Sequence, residues 1–163
     1  EIDGSEKLRL LHSGGITFNG DTAAANALDD YEEGNYSPTV QGSSGGSWTL
    51  DGAYNQLAYT KIGRMVTVTG RVRITGESSP SGSLVQVSLP TTSASLGEDR
   101  GRVTGTCTVQ YAATAVNTFM VHPTVEGNSY VQIGLASGTS FGDAVSEFSG
   151  NELIGLNVSY QSA

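Results

Sequence analysis

Residues 65–74 read MVTVTGRVRI. Val66, Val68, Val72 and Ile74 fall on one side of an extended chain, and Met65, Thr67, Thr69, Arg71 and Arg73 on the other. A period of two, with β-branched residues on the apolar side, is the signature of a half-buried strand. The pattern recurs downstream. Leu84–Leu89 places Val85, Val87 and Leu89 inward and stops at Pro90, which has no N–H to offer a ladder. Further strands are expected over 102–111, 117–125, 130–135 and 152–160. Upstream, Ser47–Leu50 runs into Asp51-Gly52, a dipeptide that favours hairpin turns, with Tyr54–Ile62 as the return strand. Gly or Pro clusters separate most of these segments. Seven or eight short strands at such spacing predict a mainly β fold, an antiparallel, jelly-roll-like β-sandwich head over residues 42–163.

Composition agrees. Only 15% of the 163 residues are charged and 22 are Gly, which suits strands joined by tight turns. The formal net charge of −8 argues against nucleic acid and against an anionic membrane surface, both of which need clustered Lys and Arg. No run approaches the ~20 apolar residues of a membrane span, and no signal-peptide pattern is present. The chain begins at Glu1 rather than Met, which reads as a fragment or a processed product.

Before residue 42 the pattern changes. Glu6–Gly20, EKLRLLHSGGITFNG, predicts short strands at Lys7–Leu11 and Ile16–Phe18 around Gly14-Gly15. A lone hairpin is marginal in water. Leu8, Leu10, Leu11, Ile16 and Phe18 therefore need burial elsewhere, and the same segment of other copies is the economical place. Residues 1–20 are accordingly expected to form a stalk segment shared with other copies of the chain, the alternative being that they pack back on the chain's own head. Asp21–Leu28, DTAAANAL, predicts a helix of about two turns capped by Asp21, within a neck over 21–41. The acidic Asp29, Asp30, Glu32 and Glu33 match no calcium loop. Capping, or ion pairs with Arg9, Arg64, Arg71 or Arg73 of a neighbouring copy, are the expected roles.

Two phrases in this region carry a family likeness. Asp29–Val40, DDYEEGNYSPTV, resembles the neck of bacteriophage tail-fibre and tail-spike tip proteins, where a phrase close to DDYEEGTWTPTV joins a stalk to a β-rich head. Asn35 and Tyr36 stand where the family usually has Thr and Trp. Tyr59–Thr75, YTKIGRMVTVTGRVRIT, resembles the strand pair that follows. The likeness covers roughly the first half of the chain. It implies a homotrimer on a virion, outside the cell, whose head recognises a host-surface polysaccharide or lipopolysaccharide. The expected trimer contacts are Leu8, Leu10, Ile16, Phe18, Leu28, Tyr31, Tyr36, Arg71 and Arg73. Two other readings stay open: a structural cap that trimerises the fibre, and a secreted carbohydrate-binding adhesin module.

Catalytic patterns are absent. No GxSxG elbow, phosphate loop or dinucleotide fingerprint occurs, and no cofactor is expected. His12 and His122 sit in no zinc-like grouping; the one metal candidate is His12, three copies of which would meet on a three-fold axis. Cys107 is the only cysteine, so no intrachain disulfide forms, and its alternation with Val103, Val109 and Tyr111 reads as a small core residue. No pair of the 16 acids is placed by sequence at glycosidase spacing. The family's depolymerases usually carry catalysis on a large β-helix, for which this chain is too short, so no enzyme is expected. Sugar binding calls for aromatic faces and fixed polar groups. Trp48 beside its turn, Tyr130 on an outward strand face, and the charged loop 95–102 with Glu98, Asp99, Arg100 and Arg102 are the candidates.

Overall fold

The computed structural model describes residues 4–12, 14–23, 27–28, 30–98, 100–113, 118–122, 126–137 and 140–163. The expected Ala-rich helix spans residues 24–26, which lie outside the described residues. Its flanks are not helical: Asp21 Oδ1 accepts the N–H of Ala23 in an Asx turn, and Leu28 bridges to Ile16. The described residues contain no α-helix, and none of their helices is long and apolar enough to cross a membrane.

The organising element is strand β7, Met65–Ser81. Its first half is the sequence quoted at the outset, and Val66, Val68, Val72 and Ile74 are all buried as the alternation predicts. Gly70, exposed at φ +133°, interrupts this row; a Cβ there would lie 3.1 Å from Leu57 Cδ2. Each half of β7 belongs to a different layer. Residues 65–69 pair with β6 (Leu57–Ile62), which in turn pairs with β3 (Tyr31–Tyr36). On the other side, residues 65–73 pair with β13 (Leu153–Gln161), and β13 with β9 (Thr104–Gln110). Past Ile74 the strand pairs with β5 (Gly45–Leu50), followed by β4 (Val40–Gly42), β8 (Val85–Ser88), β11 (Tyr130–Ser137) and β10 (Phe119–His122). β12 (Ser140–Gly142) extends the β8 side of β11. All these pairs are antiparallel. One curled sheet therefore folds over on itself as a sandwich, with β9 and β10, the ends of the path, lying close together.

Two expectations change here. The Asp51 turn forms, with Tyr54 N–H donating to Asp51 O, but β5 and β6 are not hairpin partners. They ladder onto different halves of β7, so the turn carries the chain from one layer to the other. It docks on the middle of β7, where Asp51 N–H donates to Arg73 O and Arg73 N–H to Tyr54 O. Residues 31–36 and 40–41, read from sequence as neck, belong to strands β3 and β4 of the same curled sheet.

The core between the layers combines the β7 row with Val40, Trp48, Leu57, Val85, Val87, Val131, Ile133, Phe148, Ile154 and Val158. Fully burying a side chain of this size contributes about 1.5–3 kcal/mol. Phe148 sits at its centre, 5.7 Å from the Trp48 ring and 5.6 Å edge-on from Phe119. Cys107 is half-buried against this cluster, and burial raises its thiol pKa to about 11. Tyr111, expected in step with it, is instead exposed at φ 65° just beyond the strand end.

The N-terminal segment stands apart. β1 (Leu8–Leu10) and β2 (Ile16–Phe18) form a separate two-stranded sheet. Leu8 pairs with Phe18 and Leu10 with Ile16, so the apolar residues share one face. That face is turned to solvent: Leu8 is 54%, Leu10 74% and Phe18 52% exposed. The buried residue of the hairpin is Thr17, whose hydroxyl donates to Asp21 O.

Candidate functional site

The charged loop after β8 is shaped by a residue the sequence gave no reason to single out. Glu126 Oε2 accepts the N–H groups of Leu96 (2.9 Å) and Gly97 (2.7 Å), and Oε1 accepts that of Gly101 (2.6 Å). A carboxylate collecting several backbone donors fixes a loop firmly. Gly101 has no room for a side chain, since a Cβ would lie 1.9 Å from Ala94 O. Ala94 N–H donates to Gln161 O, and Ser93 bridges to Ser162, which ties the loop to the end of β13.

This docking brings two predicted residues, Arg100 and Arg102, to the outer face of the β7–β13–β9 layer. With Met65, Thr104, Ser159, Tyr160 and Gln161 they line a groove of about 240 Å³. The Arg100 guanidinium is oriented by its own loop, donating from Nε to Gly97 O (3.1 Å) and from Nη2 to Leu96 O (3.0 Å). Its side chain is still 65% exposed, and Glu98 lies 3.9 Å away on the loop. Arg102 is half-buried at the groove floor. Arg64 adjoins through Nε, which donates to Ser162 O. Tyr160 closes the base, its buried phenol bonded to Thr91; burial raises its pKa against the opposing effect of those bonds. Glu98 holds a left-handed φ of 54° at the loop tip, and Asp99 lies outside the described residues. Thr104, Ser159 and Gln161 were missed from sequence. Their outward alternation was visible, but the pairing of β9 with β13 that unites them was not.

Trp48 needs correction. At 5% exposure it is a core residue against Phe148, with no ring face open for a sugar. Tyr130 does lie on the outward side, half-buried and paired with Ser88. Beside it runs a row of amides, Gln41, Gln86 and Gln132, aligned across β4, β8 and β11, with Gln41 Nε2 donating to Gln86 Oε1 at 3.0 Å. His122 continues the row on β10, its ring 4.3 Å from that of Phe141.

Among the expected contact residues, Leu8, Leu10, Phe18, Leu28 and Tyr31 are exposed in the single chain, and Ile16 is half-buried. Leu10, Ile16, Leu28 and Tyr31 line one hollow between hairpin and sheet. From Tyr31 the apolar surface continues across aligned Ile62 and Met65. Tyr36 is different: its ring packs on the core and edge-on to Tyr59, and its hydroxyl donates to Ser88 O (3.0 Å). Burial, and secondarily Tyr160, push its phenol pKa well above the ordinary value. These contacts all lie within the chain. Arg71 is exposed, while Arg73 Nη2 donates to Asn151 Oδ1 (2.9 Å). The acidic stretch finds partners within the chain: Asp30 pairs with Lys61, Glu32 accepts from Tyr59, and Glu33 from Tyr31. Arg9 pairs with Glu6, and His12 is exposed in the hairpin turn. Asp29 lies outside the described residues. Among the described residues no three His, Cys, Asp or Glu side chains gather as a metal site would require.

No protein-family model and no curated protein sequence matches the chain. Among solved structures, the chain is similar to the crystal structure of the Dettilon tailspike protein (gp208), with a TM-score of 0.57 and 16% identity over 82% of this chain and 24% of that one. The chain thus spans about a quarter of the tailspike's length, and at this identity what the two share is a fold.

Proposed function

We propose that this chain is the tip segment of a bacteriophage tail fibre or tailspike, a homotrimer that attaches the virion to a bacterial surface polysaccharide or lipopolysaccharide. One observation carries the reading: the N-terminal hairpin presents its apolar face to solvent and continues through Leu28 and Tyr31 onto Ile62 and Met65. A two-stranded hairpin with that face wet is unstable alone. Three copies around an axis would bury it, with one closed symmetric contact repeated. The tailspike-like fold supports the same reading, as do the DDYEEGNYSPTV and YTKIGRMVTVTGRVRIT phrases. Attachment would work through avidity: identical heads on one fibre convert weak sugar contacts into firm adhesion. We read the chain as a binder rather than an enzyme.

The same apolar stripe also favours a second reading, in which the segment only trimerises and caps the fibre. Binding of the labelled chain to an array of purified lipopolysaccharides and capsular polysaccharides separates the two. Saturable binding to at least one glycan, without release of reducing ends, is the expected result. A trimer that binds none leaves the cap, and release of reducing ends makes the chain a depolymerase.

A further inference from the structure

We propose that the groove between Arg100 and Arg102 is the glycan subsite, and that it selects an anionic saccharide through a carboxylate or phosphate. The proposal rests on the host-glycan reading above and names the chemistry that reading leaves open. The chain carries 8 Lys and Arg against 16 Asp and Glu, yet Arg64, Arg100 and Arg102 gather at one end of one layer. Guanidinium groups present planar, forked donors that match carboxylate and phosphate oxygens. Arg100 is held in place by two loop carbonyls before any ligand arrives, so less ordering is required on binding. Hydroxyls of Thr104 and Ser159 and the amide of Gln161 line the same groove, beside the apolar Met65. That mixture suits a sugar ring carrying one charged substituent. The volume of about 240 Å³ lies below that of pockets for drug-sized ligands, roughly 300–1,000 Å³, which points to a single residue or chain end rather than a run of sugars.

The test is an NMR titration of the full chain with glucuronate, glucose 1-phosphate, glucose and inorganic phosphate. It follows the Arg side-chain Nε–H signals and the amides of Thr104, Ser159 and Gln161. Glucuronate or glucose 1-phosphate should shift these signals, and the one that binds identifies the charged group. Glucose should bind at least about ten-fold more weakly. An Arg100→Gln/Arg102→Gln variant should weaken the anionic sugar about ten- to hundred-fold, the size expected for losing charge-assisted hydrogen bonds. Binding should also fall as salt rises from about 0.05 to 0.5 M. Equal affinity for glucose overturns the proposal. So does inorganic phosphate binding as tightly as glucose 1-phosphate, which would make the groove a simple ion site. Loss of the assembled state in the double variant would make the arginines interface residues and overturn it too. If that variant still binds array glycans like the parent chain, the groove assignment fails while the host-glycan reading stands. If the parent chain binds no glycan, it is the reading that fails.

Discussion

Glu152→Gln is the substitution whose consequence the structure fixes most tightly. Glu152 is 0% exposed at the entrance to β13, the strand that joins β7 to β9. Oε1 accepts the Ser149 N–H (2.8 Å) and hydroxyl (3.0 Å), while Oε2 accepts the N–H groups of Gly150 (2.9 Å) and Asn151 (3.0 Å). Its own carbonyl accepts from Ile74 N–H, so this turn is pinned to β7. Glutamine keeps one oxygen and replaces the other with an NH2 group facing two part-buried donors. Each donor stranded away from water costs about 1–3 kcal/mol, or about 2–6 kcal/mol for two. Ser149 and Asn151 are exposed, so the variant should lose about 2 kcal/mol, the low end of that range. That is a large share of a typical 5–15 kcal/mol. Burial alone would raise the Glu152 pKa, but the backbone N–H donors outweigh it and leave the value lowered. A carboxylate whose folded pKa is depressed stabilises fully above its unfolded value, about 4.3, and loses that contribution as pH falls through the folded value. Urea unfolding at one protein concentration, from pH 7 down to about pH 3, reads both effects. The parent chain should weaken steeply below about pH 4, and Glu152→Gln should start lower and show a shallower acid limb. A variant within about 0.5 kcal/mol of the parent, with the same acid limb, would refute the reasoning.

Other outcomes follow from the same geometry. Leu10→Ser should weaken association while leaving the head's thermal midpoint unchanged, because Leu10 is 74% exposed within the single chain; dilution in analytical ultracentrifugation checks this. Trp48→Ala should cost about 3–5 kcal/mol in unfolding, with glycan affinity unchanged in whatever fraction remains folded. Gly42→Ala puts a Cβ 2.2 Å from Ser81 O, so β4 must shift against β7. A loss of roughly 1–3 kcal/mol is expected from thermal melts. Cys107, with its thiol pKa raised to about 11, should alkylate slowly with iodoacetamide at pH 8 in the folded chain, and quickly only after denaturation.

Local alternation made strands legible wherever one face meets the core, and β8, β9, β11 and β13 run close to their expected bounds. What alternation cannot carry is partnership. Nothing in MVTVTGRVRI says that the strand continues to Ser81 and serves two layers, or that the strands flanking Asp51-Gly52 part company. Tyr31–Tyr36 escaped as a strand because an edge strand rich in Glu, Gly and Asn lacks an apolar row, and its pairing with β6 is a tertiary fact. The site divides the same way. Arg100 and Arg102 stood out as charges in a weakly charged chain, whereas Glu126, 24 or more residues from the loop it organises, carried no local signal. Trp48 could be read from sequence either as a core residue or, with Gly and Ser around it, as an exposed platform; its position opposite Val40 places it in the core.

Assembly is the claim on which the functional account stands. Light scattering after size exclusion gives the absolute mass of the chain in solution. The account predicts three times 16.9 kDa. A monomer stable across dilution, with Leu8, Leu10 and Phe18 left in water, would contradict it.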